Sequence, residues 1–240
     1  MSPTLLLSLD TSSPICSVAL HALADGRLLG LSELRVAQSH STHLTVLIEQ
    51  LLANTGHSLP HLAAVAVSDG PGSYTGLRIG AAAAKGLCFA LDIPLLAVGT
   101  LAALARQVAG VTAAPDNVLF CPMLDARRQE VYTATYRADG TEVLAPTPLI
   151  LSEDILSNSA LAEHLAHSRV LFFGDGAAKL RALLPAKAVN VHFLTGIVPS
   201  AAAVGELARA AYERQEFRDV AYYEPFYLKE VYTTTPKTAG

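Results

Sequence analysis

The chain has 240 residues, of which 51% are hydrophobic and 16% charged, and it carries a formal net charge of −4. A charged fraction below the roughly 25% of an average soluble domain fits a surface that a partner partly covers, and it fits an Ala- and Leu-rich composition equally well. The lack of any Lys/Arg run argues against a protein that binds nucleic acid unaided.

The cysteines and the start of the chain indicate the compartment. Cys16, Cys88 and Cys121 lie in apolar stretches without C-x-x-C spacing, so we expect buried, reduced thiols and neither a disulfide nor a metal framework. The apolar start LLLSLD ends at Asp10 and has no basic segment before it. This stretch is too short for a signal peptide or a membrane span, and we expect a cytoplasmic protein without membrane contact.

In chain order, the first segment predicts three strands, with Asp10 closing the first and Asp25-Gly26 forming a hairpin between the other two. An amphipathic helix follows, because five apolar residues recur at helical spacing: Leu44, Leu47, Ile48, Leu51 and Leu52. The strand LAAVAVS, a helix from Ser73, the strand LLAV and a helix from Thr100 complete this half.

A second segment repeats the plan. A strand ends at Asp125, alternating residues follow, and a hairpin at Asp139-Gly140 comes fourteen residues after the aspartate, against fifteen in the first copy. The stretches HSRVLFFGDGAAKLRALLP and PSAAAVGELARAAYERQEF then predict a strand, a glycine turn and two helices. Three strands followed by alternating helices and strands are typical of a mixed, mostly parallel sheet.

The repeat predicts an α/β protein of duplicated, two-lobed architecture, with mixed sheets flanked by helices. This is the plan of the actin-like (ribonuclease H-like) ATPases, in which nucleotide lies between the lobes. We expect an N-terminal actin-like lobe at 1–103 and a second, degenerate actin-like lobe at 104–216. The tail 217–240 is expected to pack back on the first lobe.

Residues 68–80, SDGPGSYTGLRIG, contain four glycines. Gly70-Pro71-Gly72 predicts a strand-to-helix turn, after which Ser73 or Thr75 can cap the helix. Small residues recur every four positions in two rows of this helix: Gly76, Gly80, Ala84 and Cys88 in one, and Ala82, Gly86 and Ala90 in the other. Such rows allow close backbone approach, to the protein's own sheet or to a second subunit, and we expect both on different faces.

The block VSDGPGSYTGLRIGAAAAKGLCFALD closely resembles a motif of the TsaB (YeaZ) family. Four further stretches share the resemblance: LSLDTSSPICSVAL, HSTHLTVLIEQLL, LDARRQEVYTATY and EPFYLKE. The resemblance implies a non-catalytic member of the actin-like superfamily. Such a protein works with the catalytic subunit TsaD and the ATPase TsaE to attach threonylcarbamoyl to the adenosine beside the tRNA anticodon.

The resemblance also implies that ligand sites have been lost. The two metal-binding histidines of TsaD-type relatives align with Thr100 and Leu104, which do not suit a metal ion. His40 and His43 are weak substitutes, so we expect no metal and no catalytic residue. A weak ATP or ADP contact is expected to survive in the complex at six residues: Asp10, Thr11 and Ser12 at the position of the phosphate loop, and Gly174, Asp175 and Gly176 at the turn that resembles the adenosine side. Asp125-Ala126-Arg127 replaces the paired glycines across the cleft.

The expected partner interface lies on the two helices that follow the third and fourth strands. It comprises His43, Leu44, Leu47, Leu51, Gly72, Ser73, Tyr74, Thr75, Gly76, Arg78, Gly80 and Ala84. We expect a TsaD-type subunit there, a homodimer when the chain is alone, and contact with a TsaE-type ATPase and with tRNA only within the complex. Two alternatives remain open at this point: an actin-like ATPase or kinase with its own activity, and a metallopeptidase.

Overall fold

The computed structural model describes residues 4–36, 39–113, 115–152, 168–184 and 190–228. The first half forms a sheet of five strands in the order β3-β2-β1-β4-β5. The strands are β1 (Leu5–Asp10), β2 (Cys16–Ala22), β3 (Leu28–Leu34), β4 (Leu62–Gly70) and β5 (Leu95–Gly99). β1, β4 and β5 are parallel, and β2 and β3 run antiparallel to their neighbours.

The second half forms a matching sheet in the order β10-β9-β6-β7-β8. Its strands are β6 (Val118–Asp125), β7 (Glu130–Tyr136), β8 (Glu142–Ile150), β9 (Arg169–Phe173) and β10 (Val191–Phe193). Again three strands are parallel and two are antiparallel. The two sheets have the same order of strands along the chain, which confirms the predicted duplicated α/β fold.

The helices among the described residues are α1 (His40–Asn54), α2 (Tyr74–Leu91), α3 (Thr100–Ala109), α4 (Ala177–Leu183) and α5 (Ala201–Glu213), with short 3-10 turns at Leu59–His61 and Pro115–Asn117. α1 and α2 cover one face of the first sheet, where a core of Leu, Val and Ala side chains is buried. None of the helices in the described part of the chain has the length and apolar character needed to cross a lipid bilayer.

The last described helix of each half packs in a way that the predicted domain division did not include. α3 buries Leu101, Leu104 and Val108 against Phe120 and Phe173 of the second sheet. α5 lies instead on the first sheet, where its alanines and Val204 pack against Leu6 and Leu96. The predicted boundary at residue 104 therefore needs correction, because α5 belongs by packing to the first lobe and α3 joins the two.

The C-terminal segment 217–228 also lies on the first lobe. Arg218 N donates to Leu95 O over 2.8 Å at the edge of β5, and Phe226 N donates to Asp69 O over 2.8 Å. Between these points the side chain of Tyr223 is buried in the core beneath α2. The segment thus runs from the sheet edge to the carboxyl end of β4. Residues 229–240 of the predicted tail lie outside the described part of the chain.

Candidate functional site

The glycine-rich start of α2 packs on the loop that follows β1. A Cβ atom at Gly72 would lie 2.5 Å from the Ser12 carbonyl oxygen, and one at Gly76 would overlap the carbonyl oxygen of Thr11. Ser73 N donates to Ser12 O over 2.7 Å, and the Ser73 hydroxyl caps the helix by accepting from Gly76 N over 3.3 Å. The glycines are therefore needed because the chain's own backbone passes directly beside the helix.

The first row of small residues in α2 faces the protein interior. Gly76, Gly80, Ala84 and Cys88 are buried, and a Cβ at Gly80 would overlap the Thr11 hydroxyl. This row serves packing within the first lobe, so its predicted role as contact surface for a partner is wrong for Gly76, Gly80 and Ala84.

The leucine stripe of α1 also faces the protein interior. Leu44, Leu47 and Leu51 are 2%, 8% and 5% exposed, because they pack on the first sheet. They cannot supply apolar area to a partner, and their place in the predicted interface is likewise corrected. The surface of α1 is formed by its other side, which includes His43 and Val46.

The second row of small residues is exposed. Ala82, Gly86 and Ala90 lie on the surface of α2 together with Arg78 and Phe89, and we name these five residues the outer face of α2. Phe89 is 85% exposed, and a Cβ at Gly86 would meet nothing within 4 Å. The outer face thus combines three small residues with one cationic side chain at its start, Arg78, and one exposed aromatic ring near its end, Phe89.

Four other predicted interface residues lie where this helix begins. Ser73, Tyr74 and Thr75 are exposed and Gly72 is partly buried. The Arg78 guanidinium donates to the Tyr74 hydroxyl over 2.9 Å and lies 5.4 Å from the centre of its ring. The ring of Tyr227 from the C-terminal segment lies 5.0 Å from that of Tyr74. These side chains remain accessible, as the predicted interface requires.

A cavity of about 1150 Å³ separates the two lobes. Ser12, Ser13 and the start of α2 form the wall from the first lobe, and Asp125, Arg127 and Asp175 form the opposite wall. The C-terminal segment closes one side with Phe226 and Tyr227. The cavity thus lies at the cleft between the lobes, where a weak nucleotide contact is expected from the sequence.

On the first-lobe side, the predicted phosphate loop is largely closed. Asp10 is fully buried and its Oδ1 accepts from Ser12 N at 3.0 Å and from the Ser12 hydroxyl at 2.8 Å. Burial raises the pKa of Asp10 to about 6, against the lowering effect of these Ser12 hydrogen bonds, and the nearby Glu33 carboxylate adds to the rise. The Thr11 hydroxyl donates to Gly76 O at 2.8 Å. Of the predicted contacts in this lobe, only Ser12 lines the cavity.

On the opposite side, the glycine turn after β9 packs on the end of β6. A Cβ at Gly174 would overlap Met123 O, and one at Gly176 would lie 2.9 Å from the carbonyl carbon of Leu124. Asp175 lines the cavity, and its Oδ1 accepts from Asp125 N over 2.9 Å. The two glycines therefore serve close packing of the turn, which leaves Asp175 as the predicted contact that borders the cavity.

Carboxylates and a basic side chain line this wall. Asp125 forms an ion pair with Lys179 over 2.7 Å. Partial burial acts to raise the pKa of Asp125, but the hydrogen bond from Lys179 acts in the opposite direction, and the pKa lies below its usual value. Arg127 has a φ of +69° and also lines the cavity. Asp125 thus lies beside the positive charges of Lys179 and Arg127, which offset the negative charge of this wall.

The residues at the metal position do not fit a metal ion. Leu104 has no donor atom and is buried in the core between α3 and the second sheet, and Thr100 offers one buried hydroxyl. His40 Nε2 donates to Ser13 O over 2.8 Å, and His43 Nδ1 lies 2.7 Å from the Thr42 hydroxyl. Within the described ranges, no group of three or more His, Cys, Asp or Glu side chains is placed to hold a metal ion.

The C-terminal wall of the cavity was not predicted as part of the site. Tyr223 donates its hydroxyl proton to Asp69 over 2.9 Å, and Lys85 Nζ donates to the carbonyls of Ala221 and Tyr223 at 3.0 Å each. These bonds fasten the segment to α2 and β4. In the sequence, the resemblance of EPFYLKE is the one signal that points to this segment, since no periodicity marks it.

The sequence of the chain is similar to those of known proteins. The family model of "TsaD: tRNA N6-adenosine threonylcarbamoyltransferase" matches residues 33–236. The chain is 32% identical to the tRNA threonylcarbamoyladenosine biosynthesis protein TsaB of Haemophilus influenzae, over 95% of this chain and 94% of that protein. It is 34% identical to TsaB of Escherichia coli over 56% of this chain and 55% of that protein.

Comparison with solved structures supports the same relationship. The fold matches YeaZ from Pseudomonas aeruginosa with a TM-score of 0.74 at 30% identity, over 94% of this chain and all of that one. A component of (R)-2-hydroxyglutaryl-CoA dehydratase from Acidaminococcus fermentans has a TM-score of 0.51 at 11% identity, over 89% of this chain and 99% of that one, which is a likeness of fold alone. The chain is 32% identical to a TsaB protein over nearly its full length, its fold matches that of YeaZ, and a TsaD-type family model covers most of it. The chain therefore belongs to the TsaB (YeaZ) family.

Proposed function

We propose that the chain is the non-catalytic partner of a TsaD-type catalytic subunit in the biosynthesis of tRNA threonylcarbamoyladenosine. The outer face of α2 carries the proposal. It is an exposed row of small residues beside an exposed phenylalanine, on a chain of the TsaB family. Small side chains let a helix of the partner approach the backbone closely, and the Phe89 ring can fill a pocket on that partner.

The chemistry is assigned to the partner. Thr100 and Leu104 supply no metal site, and the glycines of both turns are occupied by internal packing. We propose that the chain neither transfers threonylcarbamoyl nor hydrolyses ATP by itself. A weak ATP or ADP contact in the assembly would involve Ser12 and Asp175, which border the cavity.

We propose that the chain meets the other components of the assembly only after it has bound the TsaD-type subunit. A TsaE-type ATPase would join the assembly rather than the isolated chain. With a net charge of −4 and no basic run, the chain alone should bind tRNA weakly and leave the phosphate contacts to its partners. Without a partner, two outer faces of α2 would pair in a homodimer, because each presents the same small residues and the same exposed Phe89.

The decisive experiment compares two matched alanine-to-glutamate variants. Ala82→Glu places a charge on the outer face, whereas Ala178→Glu places the same charge on the exposed side of α4 in the second lobe. Calorimetric titration of the TsaD-type subunit should show affinity at least about tenfold weaker for Ala82→Glu, because a buried charge must be desolvated in the interface. Ala178→Glu should bind like the parent chain.

Circular dichroism and melting temperature must match the parent in both variants. If Ala82→Glu is folded and still binds its partner normally, the interface lies elsewhere. Light scattering on the isolated chain tests the homodimer with the same two variants. Turnover of ATP at enzyme-like rates, or transfer to tRNA by the isolated chain, would instead favour the ATPase alternative.

A further inference from the structure

The loop after β6 holds two consecutive arginines in a conformation that arginine rarely adopts. Arg127 has a φ of +69° and Arg128 a φ of +48°. This is the left-handed region of the backbone, where residues with a side chain are uncommon and glycine is favoured. Strained backbone of this kind persists only where the surrounding structure fixes it, and it concentrates at functional sites. A reason for arginine in this loop must therefore come from its side chain.

Hydrogen bonds within the loop hold the backbone of Arg127 in place. Arg127 N donates to Asp125 Oδ1 over 2.6 Å, and Glu130 N donates to Arg127 O over 3.2 Å. Ala126 N in turn donates to Glu130 O over 3.1 Å. These bonds occupy main-chain groups of the loop, so they fix where the Arg127 side chain begins without using its guanidinium.

The two arginines differ in what their side chains reach. Arg127 lines the cavity between the lobes, and it is the sole lysine or arginine among the described residues of that lining. Arg128 is exposed and lies outside the lining. The nearby Lys179 is committed to Asp125 over 2.7 Å, whereas Arg127 forms no ion pair with a carboxylate of the described ranges. The Arg127 guanidinium is thus the cation that the cavity offers to a ligand.

Aromatic rings form the side of the cavity that the C-terminal segment closes. Phe226 is 50% exposed and lines the cavity together with Tyr227. The Tyr227 ring lies 5.0 Å from that of Tyr74, and Phe226 N donates to Asp69 O, so the first lobe holds this wall in place. A planar ring of a ligand can stack on exposed aromatic side chains of this kind.

The cavity has room for a ligand that reaches both features. Its volume is about 1150 Å³, against roughly 300–1,000 Å³ for pockets that hold small molecules. Asp175 also lines it, and a carboxylate accepts hydrogen bonds from the hydroxyls of a sugar. The lining therefore combines one cation, an aromatic wall and a hydroxyl-binding group.

We infer that the cavity binds a nucleoside monophosphate, with its phosphate on Arg127 and its base against Phe226 and Tyr227. The inference rests on the nucleotide contact proposed above for this cavity, and it adds the residues that anchor the ligand and the ligand class. A guanidinium binds one phosphate group through two parallel hydrogen bonds. A longer phosphate chain would place further negative charge beside Asp125 and Asp175 without a second cation in the described lining.

The first test is calorimetric titration of the full chain with adenosine 5′-monophosphate (AMP). We expect a dissociation constant on the order of 0.1–1 mM. Arg127→Gly should bind AMP at least about tenfold more weakly, because the phosphate loses its charged partner. Arg128→Gly is the matched control, since it removes the same charge and the same positive φ outside the cavity lining, and it should bind like the parent. Equal affinity of Arg127→Gly and the parent, or no binding by the parent at millimolar AMP, would overturn the inference.

The melting temperatures of the same variants separate binding from folding. Both glycine variants should melt above the parent, by roughly 2–4 °C, because glycine adopts a positive φ without strain. Arg127→Gly would then gain stability while it loses AMP, which a purely structural role of Arg127 does not predict. A fall in its melting temperature would mean that the arginine serves the fold, against the inference. If Arg127→Gly does not fold, Arg127→Gln removes the charge instead, and parental AMP affinity of that variant would overturn the inference.

The second test examines the ligand class. Phe226→Ala should weaken AMP binding at least about fivefold, because a base–aromatic contact is lost. Tyr222→Ala is the control, with a ring that is 86% exposed and lies outside the lining. AMP should bind more tightly than adenosine or inorganic phosphate and at least as tightly as ATP. Tighter binding of ATP would contradict the single-phosphate site, and phosphate binding as tight as that of AMP would contradict the aromatic wall.

Binding of the TsaD-type subunit is measured with the same chains. Arg127→Gly and Phe226→Ala leave the outer face of α2 intact and should bind this subunit like the parent. Absence of AMP binding together with normal partner binding would overturn this inference alone. Normal partner binding by folded Ala82→Glu would instead contradict the proposed partner interface and leave the AMP site standing.

Discussion

Thr11 contacts Gly76 with both its side chain and its backbone. The Thr11 hydroxyl donates to Gly76 O over 2.8 Å, and the Cα of Gly76 faces Thr11 O so closely that a Cβ would overlap it. This contact fixes the start of α2 against the end of β1, and with it the first-lobe wall of the cleft.

Gly76→Ala should destabilise the isolated chain by about 2–3 kcal/mol, because the backbone of the loop after β1 must move to accept a methyl group. The measurement is urea denaturation followed by circular dichroism. A stability within error of the parent would mean that the loop yields easily and that the close contact does not constrain the fold.

Gly86→Ala should have the opposite effect in the same helix. A Cβ at this position meets nothing within 4 Å, so the substitution removes backbone freedom from the unfolded chain without a clash and should add roughly 0.5–1 kcal/mol. The same denaturation assay applies. A loss of stability would show that Gly86 is needed for the fold of the isolated chain and not only for the outer face.

Adjacent residues of α1 should respond very differently to truncation. Leu47 is 8% exposed and Val46 is 40% exposed. Leu47→Ala should cost about 2–3 kcal/mol, because it leaves a cavity above the first sheet, and Val46→Ala should cost less than about 0.5 kcal/mol. Similar losses for the two variants would contradict the orientation of α1 described above.

The stability of the chain should depend on pH through Asp10. Its pKa is 3.8 in the unfolded reference and about 6 in the folded protein. Between these values the folded state binds more protons than the unfolded chain, so the contribution of Asp10 to stability falls as pH rises and is lowest above pH 6.

Asp10→Asn should remove this fall, which amounts to about 3 kcal/mol. Unfolding free energies of both chains between pH 4 and 7 provide the measurement. The exposed Asp25→Asn variant is the control, since the backbone of Arg27 lowers the pKa of Asp25 and any effect there has the opposite sign. Parallel pH profiles for Asp10→Asn and the parent would refute the assignment.

Tyr223→Phe should loosen the C-terminal segment. The lost hydrogen bond to Asp69 is worth about 1–2 kcal/mol, because its acceptor is a carboxylate in a partly buried place. Amide hydrogen exchange should rise in the segment 217–228 and remain unchanged in α2. Tyr222→Phe is the matched control, with a ring that is 86% exposed. Equal exchange in the two variants would mean that other contacts hold the segment.

Much of the fold follows from the sequence, because local patterns report local structure. The predicted hairpins at Asp25-Gly26 and Asp139-Gly140 do join antiparallel strands, and the two sheets repeat one order of strands. The spacing of Leu44, Leu47 and Leu51 marks one side of α1 as apolar. It does not tell whether the protein's own sheet or a partner covers that side, and the sheet covers it.

The candidate site was harder to predict for a related reason. Gly80 and Gly86 look alike in sequence, yet one packs on Thr11 and the other is free on the surface. Helical spacing places the two glycines in different rows, but it does not tell which row packs on the distant loop that contains Thr11. The wall formed by Phe226 and Tyr227 depends in the same way on where a distant segment returns.

The exchange of α3 and α5 between the halves has a consequence for synthesis. All five strands of the first sheet precede residue 100, yet its second face is covered by α5, at residues 201–213. During translation this apolar face is therefore exposed until residues 201–213 have left the ribosome. The first lobe cannot complete its core as a nascent domain, and a fragment that ends at residue 103 should need a chaperone, or the remaining chain supplied in trans, to stay in solution.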